Sequence, residues 1–441
     1  MRRGLTGATV ALLVAAGPVR GQEQRVTPAV RLDPPVATVT LAEALSRSAN
    51  VDPDYVAALR QVGDADWVRR SAWSAFLLPV VDFSWSWTKG SSPFFNLGTG
   101  GLTDELTQFA LRGSLPLFQG GSRIFDLKAA SAGIDRAEAD EQRQRFATAL
   151  QTEADYYEVL LQEELLRVAA ERERRAEEQF GVARARVLTG AAVQTDSLQL
   201  LLELTRAQVD RLRQETAFKV ARLQLGRRIG VAGPVDAAPL DTLPSIGLPL
   251  TEGDAVREAV ERSPLTEVAR AEERRTDALF KSERGAYLPS VNLFGSWTGF
   301  GDRFIPDATT RGSFGVQLNF PIWDGAQREI RLYRANTVRQ VAEAARLDAE
   351  LGVARDMTEA YQAFLTASAS ADLAERAVAV ARENLRVQDE RYRVGATTII
   401  DLITAQVDLA EAEAGLVQAR YTTRLALAGV EAILGRRLYD K

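Results

Sequence analysis

Histidine and cysteine are both absent from this chain of 441 residues. The side chains left for chemistry are carboxylates, lysines, tyrosines and hydroxyls. Without an imidazole or a thiolate, the usual general base, thiol nucleophile and zinc site cannot be built. No catalytic, metal or cofactor site is therefore expected, and an enzyme is a poor reading. The carboxylates that stand out do so by position. Asp401 lies six residues after Gly395, and Asp196 lies six after Gly190. A carboxylate just past a glycine turn has two uses. As the last residue of Thr398-x-x-Asp401 it can close a capping box, where its charge complements the helix dipole. If several copies meet on a narrow axis, it makes a negative constriction that favours cations and repels anions.

These residues must be positioned by helices. Tyr392–Gln406 (YRVGATTIIDLITAQ) interrupts a long helical pattern with one glycine and resumes helix within a few residues, and Val187–Gln199 (VLTGAAVQTDSLQ) has the same form. Each reads as the tip of a helical hairpin. Proline is absent and glycine scarce over 122–188 and 327–394, so each segment is expected to be one helix about 100 Å long at 1.5 Å per residue. Small and apolar residues recur alternately three and four apart, as in Met357, Ala360, Phe364, Ala367 and on to Val378, Leu385, Gln388 and Tyr392. That is a coiled-coil seam, in which Tyr392 is one more knob. Exposed charges such as those from Glu171 to Arg175 read as solvated flanks. The returning helices, about 195–227 and 398–435, are half as long. A helix of about 25 residues ahead of each strand pair has the right length to cover the remaining seam.

The chain says everything twice. An offset of 205 maps Pro321 to Pro116, Arg328 to Arg123, Tyr361 to Tyr156, Gly395 to Gly190 and Asp401 to Asp196. Upstream the offset is 210, mapping Trp297 to Trp87, and downstream it is 209, mapping Leu434-Gly435-Arg436 to Leu225-Gly226-Arg227. Two repeats follow, 22–230 and 251–441, joined by a Pro-rich linker at 231–250. The tips fall at 189–196 and 395–401.

Between the short and long helices of each repeat the period changes to two. Val81, Phe83, Trp85 and Trp87 alternate with Asp82, Ser84 and Ser86, and Phe109, Leu111, Leu115 and Leu117 resume the pattern. Strands are expected at about 80–90, 106–118, 290–300 and 312–323. Pro116 and Pro321 are expected to end the sheet, since proline cannot donate to the ladder. Strands of this length with terminal aromatics suit a membrane barrel, but four cannot close one, so several chains must share it.

At the start, Arg2 and Arg3 precede an apolar run, Val10–Ala16, and a small-residue exit near Gly21. Residues 1–21 thus read as a signal peptide, too short to span a bilayer. Their removal takes the net charge from -5 to -8, which disfavours a nucleic-acid partner.

Taken together, the repeat order and the motif Tyr392-x-Val394-Gly395, with Asp401-Leu402, Ala405-Gln406 and Leu434-Gly435, resemble the TolC-like outer-membrane efflux proteins over nearly the whole mature chain. The resemblance implies a mainly α fold with a small β part. It implies a homotrimer whose twelve strands form one barrel in outer-membrane lipid, continued into the periplasm by a helical barrel. It also implies an exit duct that serves an inner-membrane transporter through a periplasmic adaptor. By position, Asp401 resembles the acidic ring at the tunnel mouth, and Tyr392, Thr195 and Asp196 resemble residues that hold the tips shut. Val187, Gly190, Val394, Gly395 and Ala396 would form the tips that adaptors grip. Thr397 stands where some members place an arginine, and Thr404 where some carry a second acid. The competing expectation is a periplasmic coiled-coil scaffold without a channel.

Overall fold

The computed structural model describes residues 37–96, 100–190, 193–239, 247–302 and 309–439. The signal-peptide segment and residues 240–246 of the linker lie outside these.

In chain order the elements are β1 (Ala37–Val39), α1 (Leu41–Val51), α2 (Pro53–Leu77), β2 (Val80–Asn96), β3 (Gly101–Gln119), α3 (Ser122–Leu188), α4 (Gln194–Arg228), β4 (Val235–Ala237), α5 (Glu252–Arg262), α6 (Pro264–Arg284), β5 (Ser290–Gly301), β6 (Thr309–Asn319), α7 (Gln327–Arg393) and α8 (Ile399–Leu434). The two long helices are each 67 residues, and the returning helices are 35 and 36. Proline opens α2 and α6, where its missing N–H is no loss. None of the described helices is long and apolar enough to cross a membrane.

The helices form a bundle of rods. α3 lies along α4 and also packs on α2, α6 and α8, while α7 packs on α8 and α6. Midway, Tyr156, Tyr157, Leu160 and Leu225 form a core with Val39 and Val235. There β1 and β4 pair in parallel, Val39 against Ala237. The expected linker therefore contains a strand, paired with one that ends at Val39 just ahead of α1. The tyrosine mates do the same work in both repeats. The Tyr156 hydroxyl donates to the Ala238 carbonyl at 2.7 Å, and that of Tyr361 donates to the Leu250 carbonyl at 3.1 Å.

The four long strands make one antiparallel sheet in the order β2-β3-β5-β6. Its register sorts the faces. Phe83, Leu111 and Trp297 stand level across three strands, and Phe109 meets the Trp297 ring edge-on at 5.3 Å. The opposite face carries the row Asp82, Arg112, Ser296 and Ser313, with the serine hydroxyls 2.8 Å apart. Strands β2 and β3 run longer than the alternation suggests. Pro116 does not end its strand: the ladder passes it through a bulge, with Pro116 opposite Asn292 and Phe118 opposite Val291. Leu117, assigned to the apolar face by alternation, is the residue the bulge leaves unpaired, and Phe118 takes the place opposite Val291. Prolines are tolerated at such irregularities because no ladder bond is lost there.

Beyond the sheet, Arg123 hooks back to the carbonyls of Pro116 and Ala75. Its mate Arg328 donates to the Pro321 carbonyl at 3.0 Å. The turn from sheet to long helix is thus tied by one guanidinium in each repeat.

One expectation about surface charge fails. Within 171–175, only Glu171 and Arg174 are the solvated flank. Arg172 donates to Glu203, which is 3% exposed, and to Asp210. Arg211 reaches Glu173 at 2.6 Å, and Arg175 reaches Glu413 on α8 at 3.5 Å. These charges tie α3 to α4 and to the other repeat.

Candidate functional site

The two tips build the site. Gly190 and Gly395 both take left-handed backbone, with φ of 75° and 77°. At the second tip the Gly395 amide bonds the Tyr392 carbonyl at 3.1 Å and the Ala396 amide bonds the Arg391 carbonyl at 2.8 Å. That pair of bonds is a Schellman closure, which needs a residue free of the Cβ penalty at the left-handed position. At the first tip the Gly190 amide bonds the Val187 carbonyl at 3.1 Å; residues 191–192 lie outside the described set. Among the described residues, and leaving aside the immediate chain neighbours, no atom lies within 4 Å of where a Cβ would stand on either glycine. Backbone geometry, not crowding, demands them, and their faces are open. Val394 is 79% exposed and Leu188 80% exposed, and Ala396 is exposed too, so both loops present apolar surface outward.

The return into α8 is a capping box. The Thr398 hydroxyl accepts from the Asp401 amide at 3.2 Å, and Asp401 Oδ2 accepts from the Thr398 amide at 3.1 Å. The same Oδ2 takes the Thr398 hydroxyl at 2.7 Å and the Thr397 hydroxyl at 2.9 Å. These bonds, the Thr398 hydroxyl first, hold the Asp401 carboxyl below the usual carboxylate range. Thr397 Oγ1 also lies 3.2 Å from the amide oxygen of Gln388, so Thr397 joins the end of α7 to the start of α8. Asp401 itself remains exposed.

Behind the tips, Ala183, Leu200, Ile399 and Leu402 are buried together, with Phe180, Leu385, Tyr392 and Ile403 packed on them. This plug draws on all four long and returning helices. Tyr392 is half-buried in it, and the Arg186 guanidinium stands over its ring at 5.6 Å. Burial pushes the Tyr392 hydroxyl up, the Asp196 charge pushes it further, and Arg186 opposes. Tyr392 therefore stays neutral, within electrostatic reach of both groups. Asp196 sits in the first turn of α4, where no side chain caps the helix, and Thr195 is exposed beside it.

The structure thus gathers Tyr392 and Asp196 at one place and Thr397 and Asp401 at another, while Gly190, Val394, Gly395 and Ala396 are exposed at the outer loops and Val187 sits half-buried in the last turn of α3. Arg186 and Gln388 were missed as site residues. Gln388 is legible only as a seam position. Arg186 has no sequence signal, because its partner belongs to the other repeat.

Long paired helices ending in glycine tips, with a half-apolar four-stranded sheet at the far end, match a known family model described as outer membrane efflux protein over residues 45–231 and 255–436. The chain belongs to the outer membrane efflux protein family. Among relatives of this efflux protein, CyaE of Bordetella pertussis is 28% identical over 333 residues, covering 72% of this chain and 70% of that one. The cobalt-zinc-cadmium resistance protein CzcC of Cupriavidus metallidurans is 24% identical over 328 residues, covering 73% and 76%. Among solved structures, CusC, whose structures concern transmembrane channel formation, superposes with a TM-score of 0.78 at 16% identity over 93% of this chain and 96% of that one. The efflux protein shares that channel's duplicated fold. Its place is the outer membrane, with the rods extending into the periplasm, and its work is efflux.

Proposed function

We propose that three copies of the chain close a twelve-stranded barrel and form the passive exit duct of a tripartite system. Substrate arrives from an inner-membrane transporter through a periplasmic adaptor that docks on the outer loops of the tips. One observation carries this reading. The sheet has an apolar and a polar face and two unpaired edges, and neither edge could stand open in lipid. A coiled-coil scaffold would have no use for such a sheet.

At the tips, Asp401 lends its charge to a negative constriction while its Oδ2 closes the capping box; the two roles coexist because the carboxylate is exposed. Tyr392, Asp196 and Arg186 hold the closed arrangement in place of the arginine that Thr397 replaces, with Thr195 at their margin. The relatives include a metal-resistance protein and CyaE, but a chain with no His and 2 Met offers no soft-metal relay of its own.

The test is conductance of purified protein in planar bilayers. Discrete cation-preferring openings that widen in Asp401→Ala are the expected result. A monomer that inserts without conducting overturns the duct.

A further inference from the structure

The sheet of one chain ends in two free edges, β2 and β6, and the internal duplication dictates how a second copy meets them. The two hairpins match residue by residue. Adding 210 on the first strand and 205 on the second turns Asp82–Arg112 into Asn292–Gln317 and Trp87–Thr107 into Trp297–Gly312, and both are observed pairs. The repeats also meet each other, at the β3–β5 junction, where Leu111 faces Trp297 and Arg112 faces Ser296. In a barrel of several copies the two kinds of hairpin alternate. The junction between copies is then the counterpart of the junction within one.

We infer that β6 of one copy pairs antiparallel with β2 of the next in a single register, with Val316 opposite Trp87, Gln317 opposite Ser86, and Asn319 opposite Ser84. These pairs are the images of Leu111–Trp297, Arg112–Ser296 and Ser114–Phe294 under the same offsets. The inference rests on the reading that several copies share the barrel. It goes beyond that reading by naming which residues touch.

Physical consistency supports it. In this register Val316 meets Trp87 on the apolar face, and Gln317 and Asn319 meet Ser86 and Ser84 on the polar one, whereas a one-residue slip would turn Gln317 into lipid. Following the row Val81, Gly113, Gly295 and Phe314 across the sheet leads to Lys89 of the next copy. The displacement along β2 is even, so the apolar face stays on one side after closure. Stagger of this kind is what closing a tilted barrel requires. A two-residue slip would also preserve the faces, and only the duplication rules it out.

The chain has no cysteine, so introduced thiols are the only ones present. Protein carrying Ser86→Cys with Gln317→Cys is extracted from outer membranes, oxidised, boiled in detergent and run without reductant. A covalent trimer that reductant dissolves is expected. A second in-register variant, Ser84→Cys with Asn319→Cys, should behave alike and guards against a local folding defect. The slipped variants, Gln317→Cys with Ser84→Cys or with Thr88→Cys, should stay monomeric. Stronger linking in a slipped variant overturns the register and leaves the shared barrel intact. No linking in any variant overturns the register if the native mass is that of a trimer. If the native mass is that of a monomer, it overturns the shared barrel as well.

Discussion

Gly120 and Gly285 approach so closely that a Cβ on Gly120 would stand 2.0 Å from the Gly285 carbonyl oxygen. One glycine leaves the first repeat's sheet and the other leads into the second repeat's strands. Their contact is where the sheet is seated on the rods.

Gly120→Ala is therefore expected to prevent assembly, because backbone on both sides leaves nothing flexible to move. Gly121→Ala is the control. It has a positive φ of 82° but nothing within 4 Å, so it should cost only the left-handed strain of about 1–2 kcal/mol. Heat-resistant oligomer in outer-membrane extracts reads the difference.

Loss of the Tyr392 ring should loosen the tips. Tyr392→Ala removes a half-buried aromatic from the plug and is expected to cost about 2–3 kcal/mol locally, below the range for a fully buried ring. Tyr392→Phe should be nearly neutral. Arg186→Gln forfeits about 0.5–1 kcal/mol of cation–π attraction. Hydrogen exchange over 385–403 should speed in the order Ala, then Gln, then Phe, and channel openings should lengthen in the same order.

The two roles of Asp401 separate by substitution. Thr398→Ala removes the cap and should cost about 0.5–2 kcal/mol with cation selectivity unchanged, whereas Asp401→Asn should weaken cation preference. The pH dependence has a defined sign. A carboxyl whose folded pKa is depressed stabilises the tip above its unfolded pKa, about 3.9, and that contribution is lost as pH falls through the lower folded value. Tip protection should therefore fall below about pH 4 in the parent and show no such step in Asp401→Asn.

Arg172 supports the rods from within. Its guanidinium lies 2.6 Å from Glu203, which is 3% exposed. Arg172→Leu should cost about 3–5 kcal/mol because it strands a buried carboxylate, and adding Glu203→Gln should recover much of that. Thermal unfolding of the double-mutant cycle checks both.

Much of the architecture is written locally. Proline-free stretches with a three-four seam require long helices, period-two alternation requires strands, and a lone glycine requires each tip. The duplicated order was legible as well, since equal offsets link prolines, arginines and tyrosines in both halves. What the sequence could not show is contact between the halves. Alternation alone cannot place a bulge, so Leu117 and Phe118 were exchanged. A charged residue on a helix looks solvated until its partner's helix is docked, so Arg172 and Arg175 were misread and Arg186 went unseen. Periodicity reports which face of an element is apolar, whereas pairing across repeats depends on how those faces are stacked in space, and only the tertiary structure decides that.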